Sequence, residues 1–245
     1  MRATARLFAT SDGTEVPSVT AAQMKEVDRI AVEEVGPNLY QMMENAGRNL
    51  ALTAQEQLGP RWSIAPIAVL AGIGGNGGGG ICAARHLANR GMDVTVVVDE
   101  QRLSGVPAQQ LRVYRGTGGR VARVDNLEEL SPELVVDAVI GYGLGGPPRG
   151  VPLRMIEWAN SAAAPVLSLD VPSGIDSTTG EAPGAHLEAA ATLTLALPKT
   201  GLVAPAVGDL FLADIGIPAE VYRRLEIDVP ASLFGAGYRV ALRAR

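Results

Sequence analysis

Between residues 20 and 60 apolar side chains recur every three or four positions. Thr20-Ala-Ala-Gln23 has the form of a capping box, in which the threonine side chain accepts from the Gln23 N–H while the glutamine reaches back. A helix is therefore predicted to start there and to bury Met24, Val27, Ile30 and Ala31. Gly36-Pro37 ends that run, and a second helix follows through Met42, Ala46, Leu50 and Leu58. The domain is expected to open with these helices, after a loose start over MRATARLFATSDG. From Ile67 the rhythm changes to short apolar runs: Ile67–Ala71, Val94–Val98, a weak Arg120–Val124, Val135–Ile140, Val166–Leu169, Thr192–Leu197 and Leu210–Ala213. Runs apolar on both faces suit parallel strands covered on each side, and the lengths between them suit right-handed crossovers. Helices are expected at Gly80–Arg90, Pro107–Tyr114 and Val151–Ala162, a loop at Leu127–Pro132, and a helix-poor stretch at Ser177–Ala190. The fold class is α/β, a mostly parallel, doubly wound sheet, with a C-terminal Ala-Leu-Arg-Ala-Arg expected to fray.

Composition narrows the partners more than the fold. At 245 residues, 47% hydrophobic and 19% charged, the chain is long enough for one sizeable core and reads as a single domain over 1–245. Its net charge of −5, with scattered Lys and Arg, disfavours a nucleic-acid groove and favours small-molecule partners. Cys82, the single cysteine, has no internal disulfide partner and suits a reducing, cytoplasmic setting; with two histidines it does not make a typical structural zinc site. No apolar run reaches the length of a membrane span.

In open parallel sheets ligands bind beyond the carboxyl ends of the strands. After Ile67–Ala71 comes Gly72-Ile-Gly-Gly-Asn-Gly-Gly-Gly-Gly80, read as a glycine-rich turn leading into a helix at Ile81–Asn89. Such a turn lets backbone approach a ligand, and the helix start attracts a phosphate. Asn76 is its only hydrogen-bonding side chain and either stabilises the turn or coordinates a ligand. Asp137 is more pointed, because a carboxylate within Leu-Val-Val-Asp-Ala-Val-Ile is costly to bury unless paired or bound to a cation. Asp170-Val-Pro-Ser173-Gly174 closes another strand, and Asn76, Asp137 and Ser173 together suit a hard cation. Lys199 follows a strand and either reaches the pocket or caps it; Arg149 either meets phosphate or is solvated; Cys82, His86 and His186 read as structural.

Several segments in order resemble the NAD(P)HX epimerase family, the YjeF N-terminal domain family: Met24…Asp28 with Met43-Glu-Asn-Ala-Gly47, the turn running into Cys82-Ala-Ala-Arg85-His86-Leu87, Asp137-Ala-Val-Ile-Gly141, Asp170-Val-Pro-Ser-Gly174, Pro198-Lys199-Thr-Gly201 and Asp214-Ile-Gly-Ile-Pro218. The resemblance covers about residues 19–224. It implies a Rossmann-like three-layer sandwich and an enzyme interconverting the R and S forms of hydrated NADH or NADPH. It implies potassium held by Asn76, Asp137 and Ser173, and substrate on Gly75, Asn76, Gly77, Gly78 and Gly79 and on the loop Gly141, Tyr142, Gly143, Leu144, Gly145, Gly146 and Pro147. Asp170 then contacts the substrate and shuttles a proton as the catalytic group, and the family favours a homodimer. No segment resembles the dehydratase that acts on the same metabolite.

The turn departs from the family's Gly-Pro-Gly-Asn-Asn-Gly-Gly-Asp-Gly: Ile73 replaces the proline, Gly75 an asparagine and Gly79 the aspartate. Two other readings therefore stay open: a non-catalytic binding or interaction module of the same fold, and an isomerase or lyase acting on another metabolite.

Overall fold

The computed structural model describes residues 5–245. Two strands, β1 (Ala5–Thr10) and β2 (Glu15–Ser18), pair antiparallel before the first helix. Of the loose start expected over residues 1–13, residues 5–10 are thus a strand, pinned by the fully buried Phe8, and residues 1–4 lie outside the described residues. Helix α1 (Ala21–Ile30) begins at the Thr20 capping box, both of whose hydrogen bonds are present, and continues into one π turn at Ala31–Val35. Helix α2 (Leu39–Leu58) carries a second capping box between Asn38 and Gln41.

The alternating part follows as β3 (Ile67–Ala71), α3 (Gly75–Ala88), β4 (Val94–Val98), α4 (Gly105–Arg115), β5 (Arg120–Ala122), β6 (Leu134–Ala138), α5 (Val151–Ser161), β7 (Val166–Leu169), β8 (Ala191–Leu195) and β9 (Asp209–Ala213). The helix α6 (Ala219–Arg224) and strand β10 (Arg239–Ala244) end the chain. A 3₁₀ helix at Val124–Glu129 takes the last residue of the weak strand expected at Arg120–Val124 and the start of the loop expected at Leu127–Pro132, and the C-terminal segment expected to fray belongs to β10, paired with both β9 and β1. Only Leu242 is buried in it, while Ala241, Arg243 and Ala244 are exposed, which is why it lacked an apolar signature.

All strands join one ten-stranded sheet in the order β2-β1-β10-β9-β8-β7-β6-β3-β4-β5. Pairings from β9 through β5 are parallel, and those among β9, β10, β1 and β2 are antiparallel. Helices α2, α3 and α4 share one core with the inner strands, and α5 covers the other face through Met155, Ile156 and Trp158. This is the three-layer, mostly parallel arrangement expected from the strand pattern, extended by an antiparallel edge.

The strand order places a topological switch point between β3 and β6: from β3 the chain winds out through β4 and β5, then returns to β6 and winds the other way. Ligands bind at the carboxyl ends of strands at such a point. Here those ends are Gly72–Gly74 and Val139–Gly141, which pack so closely that a Cβ on Gly72 would lie 2.0 Å from the Val139 carbonyl oxygen.

Candidate functional site

The glycine-rich stretch is not a long turn. Only Gly72–Gly74 connect strand to helix, and α3 starts at Gly75, six residues before the helix start read from the sequence. Glycine is about 1 kcal/mol worse than alanine in a helix, so propensity alone argues against helical Gly-Asn-Gly-Gly-Gly-Gly. Tertiary contact decides it. A Cβ would meet the Gly72 carbonyl oxygen at 1.7 Å from Gly77, Met43 Sδ at 2.7 Å from Gly78, Leu169 Cδ2 at 2.9 Å from Gly79 and Ala138 Cβ at 2.4 Å from Gly80. Their bare backbone lets the first turns lie flat on the sheet and on α2.

A cavity of about 570 Å³ opens over the switch point. Its walls are α1 (Met24, Lys25, Asp28) and α2 (Leu39, Met42, Met43, Ala46), and its floor is the N-terminus of α3 with the ends of β6, β7 and β8. Of the residues expected to bind substrate, Gly75, Asn76, Gly79, Gly141, Tyr142, Gly143 and Asp170 line it. Gly77 and Gly78 instead face packed neighbours, and Leu144, Gly145, Gly146 and Pro147 lie outside the lining.

Asp170 sits at the end of β7 with a φ of 69°, and the Val171 N–H donates to the Leu169 carbonyl across it at 2.9 Å. Ala196, at the end of the neighbouring β8, repeats the turn with a φ of 63° and a Leu197-to-Leu195 bond of 2.7 Å. Such γ-turns with positive φ are rare and strained for non-glycine residues, costing about 1–3 kcal/mol each, and surrounding contacts must hold them. At Asp170 those contacts are the Tyr142 N–H at 3.0 Å and the Lys199 ammonium, a direct ion pair with both side chains nearly fully buried. Lys199 Nζ also donates to the Leu195 carbonyl at 2.9 Å and lies 5.8 Å from the Tyr142 ring centroid. Lys199 thus reaches the pocket, as one of the two outcomes left open for it.

Asp137 is fully buried and accepts from Ser168 Oγ at 2.8 Å, Ser173 N at 2.9 Å, Val139 N at 3.1 Å and Ser173 Oγ. Burial raises its carboxyl above the usual range, and these donors offset only part of that rise. Ser173 Oγ in turn accepts from Ile140 N at 2.8 Å. Asn76 stands nearby, since a Cβ on Gly141 would lie 3.2 Å from Asn76 Oδ1 and 3.0 Å from Asp170 Oδ2. The buried Asn76 Nδ2 has no hydrogen-bond partner among the described residues. Turning the amide over puts Oδ1 in that position, and an oxygen there calls for a donor or a cation.

Asp28 is a pocket residue not singled out chemically from the sequence. Its carboxylate accepts from the Tyr142 hydroxyl at 2.6 Å, and burial raises it above the usual range, opposed by that hydrogen bond and by Lys199. The signal was present: Met24, Val27, Asp28 and Ala31 form one helical stripe, and a carboxylate within an apolar stripe carries the same cost that marked Asp137.

The remaining candidates lie apart. Glu44, Cys82 and His86 converge, but the Arg85 guanidinium is within hydrogen-bond reach of all three: Glu44 Oε2 at 2.5 Å, Cys82 Sγ at 3.4 Å and His86 Nε2 at 3.2 Å. Burial pushes the Cys82 thiol up to about 12, so this is a packed, charge-balanced cluster. Arg149 is exposed, and His186 lies in the helix-poor stretch with Nδ1 3.4 Å from the Gly184 carbonyl.

A doubly wound sheet with a largely apolar cavity at its switch point, carrying a few convergent polar groups, defines an α/β ligand-binding protein of the Rossmann-like class. The family described as YjeF-related protein N-terminus matches residues 39–201, and the chain belongs to it. A relative from Dehalogenimonas lykanthroporepellens, named NAD(P)H-hydrate epimerase, is 47% identical over 97% of this chain and 97% of its own. One of the same name from Weissella koreensis is 37% identical over 84% of this chain and 95% of its own. A bifunctional NAD(P)H-hydrate repair enzyme from Moorella thermoacetica is 35% identical over 83% of this chain, which spans 41% of that protein. The crystal structure of yeast ynu0, YNL200c, superposes with a TM-score of 0.78 over 92% of this chain and 100% of its own at 22% identity, so it speaks to the fold. No helix among the described residues is long and apolar enough to cross a membrane.

Proposed function

We propose that this protein is an epimerase of hydrated NAD(P)H, interconverting the R and S forms of NAD(P)HX. The observation that carries this reading is the near full-length similarity to a protein named for that activity, 47% identical across 97% of both chains. The site offers matching chemistry. Unpaired N–H groups at the start of α3 and its dipole favour a phosphate, and the loop from Gly141 to Pro147 extends the binding surface beyond the cavity. Inversion of a carbon bearing both a hydroxyl and a ring nitrogen proceeds through loss of the hydroxyl to an iminium and re-addition from the other face. Asp170, a carboxylate on the cavity floor, takes or gives the proton and steadies the positive charge.

Asn76, Asp137 and Ser173 would hold potassium. The donors would all be oxygen with one formal negative charge, the Asn76 oxygen coming into place when its unpartnered amide is turned over. When bound, the ion supplies a fixed positive charge beside the cavity. The thermal midpoint is expected to be higher in potassium chloride than in choline chloride at equal ionic strength, and Asp137→Asn is expected to abolish the difference. Equal midpoints for wild type in the two salts would remove the cation from the proposal. A homodimer in a reducing cytoplasm is part of the same reading, and sedimentation of the purified chain tests the first half of it.

The deciding assay incubates the protein with R-NADHX, couples it to a dehydratase acting only on the S form, and compares the rate with spontaneous epimerisation. No acceleration sinks the proposal and leaves a binding module of the same fold, a reading favoured by the absent side chains at Gly75 and Gly79. Gly79 lines the cavity, and its Cβ position meets only the terminal methyl of Leu169 and, at 3.9 Å, Ala46. Gly79→Asp is therefore expected to fit after Leu169 turns and to raise a weak rate. An unchanged or lower rate would count against the missing carboxylate as the cause of that weakness.

A further inference from the structure

We propose that Asp28 is a second proton-transfer group of the reaction, working against Asp170 from the other side of the substrate ring. This rests on the epimerase reading of the cavity. Tyr142 spans the two carboxylates: its main-chain N–H donates to Asp170 Oδ2 at 3.0 Å, and its hydroxyl donates to Asp28 Oδ2 at 2.6 Å. Asp170 belongs to the floor, at the end of β7, whereas Asp28 comes from α1, which forms a wall. The two carboxylates are thus one tyrosine residue apart across a shared cavity. No other hydrogen bond reaches the Asp28 carboxylate among the described residues, so Oδ1 is free to meet a ligand.

Inversion at a carbon needs chemistry on both faces. One hydroxyl must be protonated as it leaves, and a water must be deprotonated as it adds from behind. Where sugars are hydrolysed with inversion, an acid and a base about 6.5–9.5 Å apart leave room for that water. The same division of labour applies to an iminium. The Asp28 carboxylic acid gives its proton to the departing hydroxyl; the C–O bond breaks, its electrons leave with water, and the ring nitrogen's lone pair forms the C=N bond. A water then adds on the opposite face: its lone pair forms the new C–O bond, the C=N electrons return to nitrogen, and its proton passes to the Asp170 carboxylate. The reverse direction exchanges the roles, and solvent exchange restores the starting protonation.

The resting environments fit this assignment. Asp170 is paired with the Lys199 ammonium, while burial favours the neutral form of Asp28. The groups facing Asp28 are Tyr142 and Lys199 from the loops after β6 and β8, Asp170 from β7, Tyr222 from α6, and Lys25 on its own helix. None forms a direct ion pair with it among the described residues.

The test compares wild type, Asp28→Asn and Tyr142→Phe in the coupled assay across pH, with thermal midpoints as a check on folding. Wild type is expected to show a bell, one limb for a group that must be protonated and one for a group that must be ionised. Asp28→Asn keeps an acceptor for Tyr142; it is expected to lose about 10²-fold or more in kcat with a small change in KM, and to lose one limb. Tyr142→Phe removes a hydrogen bond that lowers the Asp28 carboxyl, so that limb is expected to move to higher pH. A wild-type protein without epimerase activity would sink the epimerase reading. An active wild type with unchanged kcat and unchanged limbs in Asp28→Asn would overturn this inference alone. Should Asp28→Asn not fold, a limb that stays in place in Tyr142→Phe overturns it equally.

Discussion

Asp170→Asn is expected to cost the protein both its reaction and part of its stability, and the two losses are separable. Loss of a positioned acid or base lowers the rate by about 10²–10⁴-fold, so the variant should approach the spontaneous rate. The same change leaves the Lys199 ammonium without its counter-charge at a site where lysine is 1% exposed. Removing one member of a buried ion pair costs about 3–5 kcal/mol, because the other remains as an uncompensated charge. For a chain of this size that corresponds to a fall of about 10 °C in the thermal midpoint. The double variant Asp170→Asn with Lys199→Met removes the stranded charge and keeps most of the stem volume. It is expected to recover most of the midpoint while the reaction stays lost. A wild-type rate in Asp170→Asn would remove this residue from the chemistry. A double variant no more stable than the single one would show that the buried pair is not what the single change disturbs.

That pair shows where sequence reasoning reaches and where it stops. Asp170 was legible as a carboxylate at a strand end beside a turn, and Lys199 as a cation after another strand. Their contact across 29 positions was not, because it depends on β7 and β8 being neighbours and on both ending in the same tight turn. The inner parallel strands β3, β4 and β6 were legible because each buries both faces and so carries a nearly uninterrupted apolar run. Strands β1 and β10 were not. Each has one fully anchoring apolar residue, Phe8 or Leu242, while its other positions are partly or wholly exposed and often charged. Asp137 and Asp28 obey a single rule, a carboxylate embedded in an apolar pattern, but the rule is easier to see in a strand run than in a helical stripe.

The glycine stretch separates local preference from tertiary demand most sharply, and it yields the second large expected effect. By helix propensity, any Gly→Ala change within α3 stabilises by about 1 kcal/mol. Gly75→Ala is expected to follow that rule, since its Cβ would meet only Met43 Cε at an ordinary 3.8 Å. Gly77→Ala, two residues further, is expected to do the opposite. Its Cβ would lie 1.7 Å from the Gly72 carbonyl oxygen and 2.5 Å from its carbon. Those are main-chain atoms with no rotamer to change, and Gly72 is itself pressed against the Val139 carbonyl. To admit one methyl group, the Gly72–Gly74 connection must move away from the helix start, or the helix must lift off the sheet. Overpacking that flexible side chains absorb costs about 1–3 kcal/mol, and displacement of backbone at a strand end falls at or beyond the top of that range. Movement of that connection also shifts Asn76 and the N–H groups that face the cavity, so ligand affinity should fall together with stability. Denaturant midpoints of the two variants measured side by side decide the matter. If both move upward, or Gly77→Ala matches wild type, then helix propensity governs the glycine run and close backbone approach does not.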